Sequence, residues 1–160
     1  MSQTKLETPT DLLRFQLRTA FTMEEDSLAA LGELAQAAKS SDVKKLFRHH
    51  ADETKEQIEI LRRVFGVLDF PVSSAASPST KGISKQAKSL IERSAPALRD
   101  QVTLSAALGN EHYEISAYES LILAARSMGA ADAVALLQQN LDQEVHTSQE
   151  LNTRLSSMTG

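Results

Sequence analysis

The chain has no cysteine and no tryptophan, only four prolines and six glycines in 160 residues, and aromatics at 4%. Without cysteine there can be no disulfide, thiolate zinc site or cysteine nucleophile. Six scattered glycines form no phosphate-cradling loop, and none of the serines sits in a nucleophile elbow. Few aromatics and a formal charge of -4, with no basic stripe, argue against nucleic-acid binding. No run of about 18 apolar residues occurs, so no membrane span is expected. Met1–Asp11 lacks the charged-then-apolar order of a signal peptide, which predicts a soluble, cytoplasmic protein.

What the chain does have is helical periodicity. Prolines at 9, 71, 78 and 96 punctuate it. Thr10 can cap a helix running to about residue 39, and Ser40-Ser41-Asp42 supply the turn and cap of a second over about 43–68. The Ser-, Ala- and Pro-containing stretch from Val72 to Thr80 reads as a loop. A short polar helix then covers about 81–94. Pro96 fits the first turn of a long helix over 96–127, Gly129 ends it, and a last helix spans about 131–156. No segment alternates in strand fashion. The expected fold is a single all-α domain, a four-helix bundle with an extra short helix in the crossover between two helix pairs. The pairs also resemble each other: Glu24 precedes Glu53 by about as much as Glu114 precedes Glu144, and Asp42 and Leu46 align with Asp132 and Leu136. A duplicated hairpin and chance periodicity in Ala/Leu-rich helices both remain open as explanations.

Each long stripe is broken by acid where a core should be dry. Glu24 interrupts Leu13, Leu17, Phe21 and Leu31. His50, Glu53 and Gln57 interrupt Leu46 and Val64. Glu111, with Glu114 one step round, interrupts Leu104, Leu108, Ile115 and Tyr118. Glu144 interrupts Leu137, Leu141 and Leu151. Burying an ionised carboxylate costs several kcal/mol unless it is compensated, and a shared pair of cations is one way to compensate several at once. Carboxylates suit hard metals, and His50–Glu53 and Glu111–Glu114 each place two ligands on adjoining turns of one face. The Glu-x-x-His order usual for di-metal bundles is absent: His50 precedes Glu53, and Thr147 stands three residues after Glu144. Glu56 occupies the second-ligand position after Glu53, although an outward-facing charge explains it equally. Tyr113 and Tyr118 are expected in the core with hydroxyls reaching carboxylates, and His112 is a candidate support for Glu111. His49 and His146 are expected at the surface, as are Glu7, Glu25, Glu33, Glu59, Glu92 and Glu150.

The string Glu111-His112-Tyr113-Glu114-Ile115, together with His50-Ala51-Asp52-Glu53-Thr54 and Gln57, resembles the YciE/YciF family of bacterial stress-associated proteins. Phe47, Leu136-Leu137 and Leu141-Asp142-Gln143-Glu144 extend the resemblance over roughly residues 12–155. It implies a five-helix ferritin-like fold, a homodimer, and metal positions at Glu24, His50, Glu53, Glu111, Glu114 and Glu144. The short third helix departs from the pattern, because Gly82-Ile83-Ser84-Lys85-Gln86 stands where relatives often carry acids. The expected function is a stress-associated bundle holding a di-iron or di-manganese centre, with oxidase, peroxidase or ferroxidase-type chemistry on dioxygen or hydrogen peroxide. The competing expectation is a non-enzymatic structural or interaction protein with a polar, metal-free core.

Overall fold

Thr8, not Thr10, starts the first helix. Its hydroxyl accepts from the Asp11 amide at 3.0 Å while the Asp11 carboxylate accepts from the Thr8 amide at 3.0 Å, and Pro9 fills the first helical position. This reciprocal capping satisfies amides that a helix start leaves free, which Thr10, already the second residue of the helix, could not do. The computed structural model describes residues 3–159. It contains α1 (Pro9–Ala37), α2 (Ser41–Val67), α3 (Pro78–Arg93), α4 (Arg99–Ser127) and α5 (Ala131–Thr159). No strand occurs among the described residues.

The other boundaries differ from the sequence expectation for local reasons. Ser40 caps α2 through the Val43 amide at 3.2 Å, so that helix begins two residues early. Pro78 opens α3 and draws Ser79 and Thr80 out of the expected loop, because proline has the right φ for a first turn and no amide to leave unpaired. Pro96 begins a short 3-10 turn, Pro96–Leu98, and the regular helix starts only at Arg99. Gly129 ends the α4 region at φ +71°, a conformation open to glycine at no steric penalty.

Side-chain bonds across the helices show the topology. Glu24–Tyr118 and Ser27–Asn110, with Ser40–Asp100 just beyond α1, run α1 antiparallel to α4. Asp42–Arg154, His50–Glu150 and Gln57–Asn140 do the same for α2 and α5. Two antiparallel hairpins thus pack face to face, joined by a crossover that includes α3. The crossover is pinned to α1: Arg18 donates to the Ser74 carbonyl at 3.0 Å, and Asp26 accepts from Thr80 at 2.8 Å and pairs with Lys81.

The apolar interior is divided in two. One cluster holds Leu17, Phe21, Leu61, Phe65, Leu121 and Leu137; the other holds Leu31, Val43, Phe47, Leu104, Ala107 and Leu151. Fully burying one such large side chain contributes about 1.5–3 kcal/mol. Between the clusters lies a polar belt, and along each helix the expected glutamates fall in the gap. Two apolar ends hold the belt away from water. No described helix is long and apolar enough to cross a membrane.

Candidate metal centre

Glu24 on α1, Glu114 on α4 and Glu144 on α5 each offer a carboxylate oxygen, and these three atoms lie within 4.8 Å of one another. The three side chains come from three helices and are at most 2% exposed; Glu111, 4% exposed, lies against Glu144. Among the described residues, no lysine or arginine forms an ion pair with any of the four. Like charges at this spacing in a low-dielectric interior cannot all persist without protons or cations.

The titration of these groups follows from that crowding. Burial pushes the Glu24 carboxyl up to about 7, against the pull of the Tyr118 hydroxyl. Glu114 is raised well above the usual carboxylate range by burial and then by the charges of Glu144 and Glu24. Glu111 rises through burial and Glu114, and Glu144 through burial and its hydrogen bond with Glu111. Tyr118 is itself raised, by burial and the adjacent Glu24. Without a cation, the centre at neutral pH therefore holds protons.

A set of neutral side chains aims the acids. Tyr118 donates to Glu24 Oε1 at 2.5 Å and accepts from Asn140 Nδ2 at 3.0 Å, and that amide also donates to the Gln57 carbonyl at 3.2 Å. Asn110 Nδ2 donates to Glu114 Oε1 at 3.1 Å and to Ser27 Oγ at 3.2 Å. Asn110 and Asn140 escaped the reading of the sequence. A signal existed, since each lies four residues before an interrupting glutamate, on the same buried face.

The remaining candidates stand at the edge. Glu53 is half-buried and bonded to two histidines, His49 Nε2 at 2.9 Å and His50 Nδ1 at 3.2 Å. Its charge still reaches Glu111. His50 is buried, with Nδ1 bonded to Glu53 and Nε2 without a hydrogen-bond partner, 3.7 Å from Glu150 Oε2. Burial lowers its pKa, partly opposed by Glu53. Glu56 is exposed, which selects its outward-facing reading. His112 is exposed too, and the expected support for Glu111 does not form because its position on α4 faces away from the belt. Tyr113 packs against the Phe65 cluster at partial burial. Glu150, expected in solvent, is half-exposed and paired with His146 at 2.8 Å. Thr147, where a di-metal bundle would place histidine, is buried, so the donor set is mainly oxygen.

The residues present fit a hard cation. Glu24 Oε2, Glu111 Oε2 and Glu144 Oε1 are hidden from solvent and have no hydrogen-bond partner. Buried oxygen atoms normally find one; Glu24 and Glu144 belong to the converging trio and Glu111 lies against Glu144, so these orphans are donors a carboxylate-preferring ion would fill.

Known proteins share this frame. A family profile described as "Domain of unknown function (DUF892)" matches residues 8–160. Protein YciF of Escherichia coli K12 is 28% identical over 148 residues, covering 91% of this chain and 89% of its own length. The crystal structure of that protein, described as a stress protein, superposes with a TM-score of 0.89 over 94% of this chain and 96% of its own. YcfI of Rhodopseudomonas palustris, provisionally described as a structural protein, gives a TM-score of 0.92 at 31% identity, covering 96% and 98%. A two-domain Anabaena variabilis protein with DJ-1/ThiJ/PfpI-like and ferritin-like domains gives 0.67 at 22% identity, with 96% of this chain on 38% of that one. This last likeness concerns the fold alone. The chain belongs to the DUF892 family and is a YciF-like protein with an all-α, ferritin-like bundle.

Proposed function

We propose that this protein is a stress-associated metal protein whose polar belt binds a pair of iron or manganese ions for chemistry with dioxygen or hydrogen peroxide. One observation carries the reading: carboxylates from three helices converge in a dry interior, with orphaned oxygens and, among the described residues, no lysine or arginine paired to them. Glu24, Glu111, Glu114 and Glu144 would hold the ions, with Glu53 and His50 completing the α2 side. Such ions would supply one-electron chemistry toward an oxidant. The chain's own residues prepare the place. Tyr118 and Asn110 fix which oxygens of Glu24 and Glu114 remain free, the two apolar clusters exclude bulk water, and Asn140 holds the Tyr118 hydroxyl. A homodimer belongs to the same reading and is checked by sedimentation.

The test is substitution of the ligands. Glu53→Ala combined with Glu144→Ala should abolish stoichiometric iron or manganese, measured by elemental analysis of protein purified without a chelating tag. Undiminished metal in the folded double variant would refute the reading.

A second reading has its own support. The bonds from Tyr118, Asn110 and Asn140 already satisfy part of the belt, as a purely structural polar core would require, and YcfI is provisionally described as structural. Anaerobic Fe(II) followed by air separates the two. A near-ultraviolet ferric absorption band is expected for a redox centre, whereas a structural core gives none.

A further inference from the structure

A cavity of about 460 Å³ opens between α1, α3 and α4, on the side where the crossover helix lies. Small side chains make the gap. Ala30 on α1, Ala87 on α3, and Ala106 and Ala107 on α4 face the space, with Ile83 and Ile91 as its outer wall. Only Thr80 of α3 is fully buried, so that helix stands off the bundle rather than closing the gap. The volume falls in the ~300–1,000 Å³ range of pockets that take small organic molecules. Its floor is polar: Ser27, Asn110 and Glu111. Glu111 also lies against Glu144, so the cavity ends where the acidic centre begins.

The floor restricts what can bind. Both hydrogens of the Asn110 amide are already donated, to Ser27 and Glu114. Glu111 lines the same end of the cavity, with its Oε2 sealed from solvent and without a hydrogen-bond partner. A ligand hydroxyl can donate to the Glu111 carboxyl whether or not that group is protonated, whereas an anionic head would lose its hydration at an end where, among the described residues, no lysine or arginine is paired to the acids. Lys88, Glu33 and Glu92 line the cavity as well, and their mixed charge gives no preference for a charged tail.

We infer that this cavity binds a neutral, largely apolar alcohol or phenol, its tail between α1 and α3 and its hydroxyl donating to Glu111. Binding is independent of the metal reading. The significance of the hydroxyl's position, at the edge of a reactive centre, rests on that reading.

The experiment uses the full metal-free chain and N-phenyl-1-naphthylamine, a neutral fluorophore that brightens in apolar surroundings. Saturable binding of one probe per chain is expected, displaced by 1-octanol at a concentration about tenfold or more below that needed for octanoate. Ala106→Phe fills the cavity from α4. Ile83→Trp fills it from α3, where little of the core is disturbed if the first variant misfolds. Either folded variant should weaken probe binding by about tenfold or more. Unchanged binding in the filled variants, no saturable binding at all, or octanoate competing as well as octanol would each overturn the assignment. The two proposals fail separately. Metal uptake without octanol binding removes the cavity proposal alone, and octanol binding by a chain that takes up no metal removes only the metal reading.

Discussion

The α1–α2 and α4–α5 hairpins occupy matching places in the bundle, yet they furnish its centre unequally. The first gives one fully buried acid, Glu24, and its other buried polar residues, Ser27, His50, Thr54 and Gln57, carry no carboxylate. The second gives three, Glu111, Glu114 and Glu144, with Asn140 and Thr147 beside them. Backbone geometry repeats while side-chain chemistry does not. The helical frame needs only apolar faces at regular spacing, which both hairpins have, so it places no demand on which polar residues fill the belt. Unscreened acid is therefore concentrated on α4, α5 and the facing part of α1, while the α2 edge is closed by neutral groups and by a half-buried Glu53.

The largest effect that follows is a pH dependence of the metal-free chain. Glu24 moves from about 4.5 when unfolded to about 7 when folded. The folded chain thus keeps a proton that the unfolded chain releases, and stability falls as pH rises. The contribution is complete below about pH 4.5 and is lost as pH rises through about 7, on the order of 3 kcal/mol from this group alone. Glu111, Glu114 and Glu144 act in the same direction. Urea unfolding between pH 5 and 8 measures it. A bound cation favours deprotonated ligands, so saturating Mn(II) should flatten or reverse the slope. A metal-free chain equally stable at pH 5 and 8 would mean that the acids are not buried together.

Next in size is removal of one acid from each hairpin. Glu144→Leu takes a compressed carboxyl out of the α4–α5 side at similar volume. It should stabilise the metal-free chain by about 1–4 kcal/mol at neutral pH, since apolar replacement of buried charge is commonly neutral to favourable. Glu53→Leu leaves the buried His50 Nδ1 without its partner and should instead destabilise the chain by about 1–3 kcal/mol. Thermal unfolding of both variants tests the asymmetry, and equal shifts would erase it.

The frame and the acids were legible in the sequence for one reason. A glutamate inside an apolar stripe violates the pattern around it, and Glu24, Glu111, Glu114 and Glu144 all sit where that violation marks burial. Tyr118 was legible in the same way, as a polar tip on an apolar face. What escaped depended on partners. Whether Thr8 or Thr10 caps α1 is decided by the reach of Asp11 back to residue 8, and both threonines precede plausible helices. The ring of His50 turns between Glu53 and Glu150 because α5 brings Glu150 opposite it, a fact of helix pairing and not of α2 alone. Asn110 and Asn140 look like ordinary surface amides until their faces are seen to be closed.

A smaller effect separates the two tyrosines. Tyr118→Phe removes a donor from Glu24 and an acceptor from Asn140, and should cost about 1 kcal/mol in the metal-free chain. Because the Tyr118 bond holds the Glu24 pKa down, its loss should also carry the pH-dependent fall in stability to higher pH. Tyr113→Phe, at a half-buried site in the Phe65 cluster, should leave that profile in place. A pH titration of stability for both variants gives the answer, and identical profiles would remove Tyr118 from the centre.

The smallest effect lies on the outer side of α2 and α5, where the hairpins look most alike. Each carries a histidine followed four residues later by glutamate, His49–Glu53 and His146–Glu150, at 2.9 and 2.8 Å. Both histidines are largely exposed, so neither pair contributes more than about 0–1 kcal/mol. Glu53→Gln and Glu150→Gln should accordingly alter metal-free stability by similar, small amounts. Metal affinity should divide them. Glu53 is close enough to the centre for its charge to be felt at Glu111, while Glu150 faces the outer histidine and the far nitrogen of His50. Titration with Mn(II) should show weakening of about tenfold or more for Glu53→Gln and no change for Glu150→Gln. Equal weakening in the two would place the binding site on the outer histidines, and equal indifference would confine it to the three helices that hold Glu24, Glu114 and Glu144.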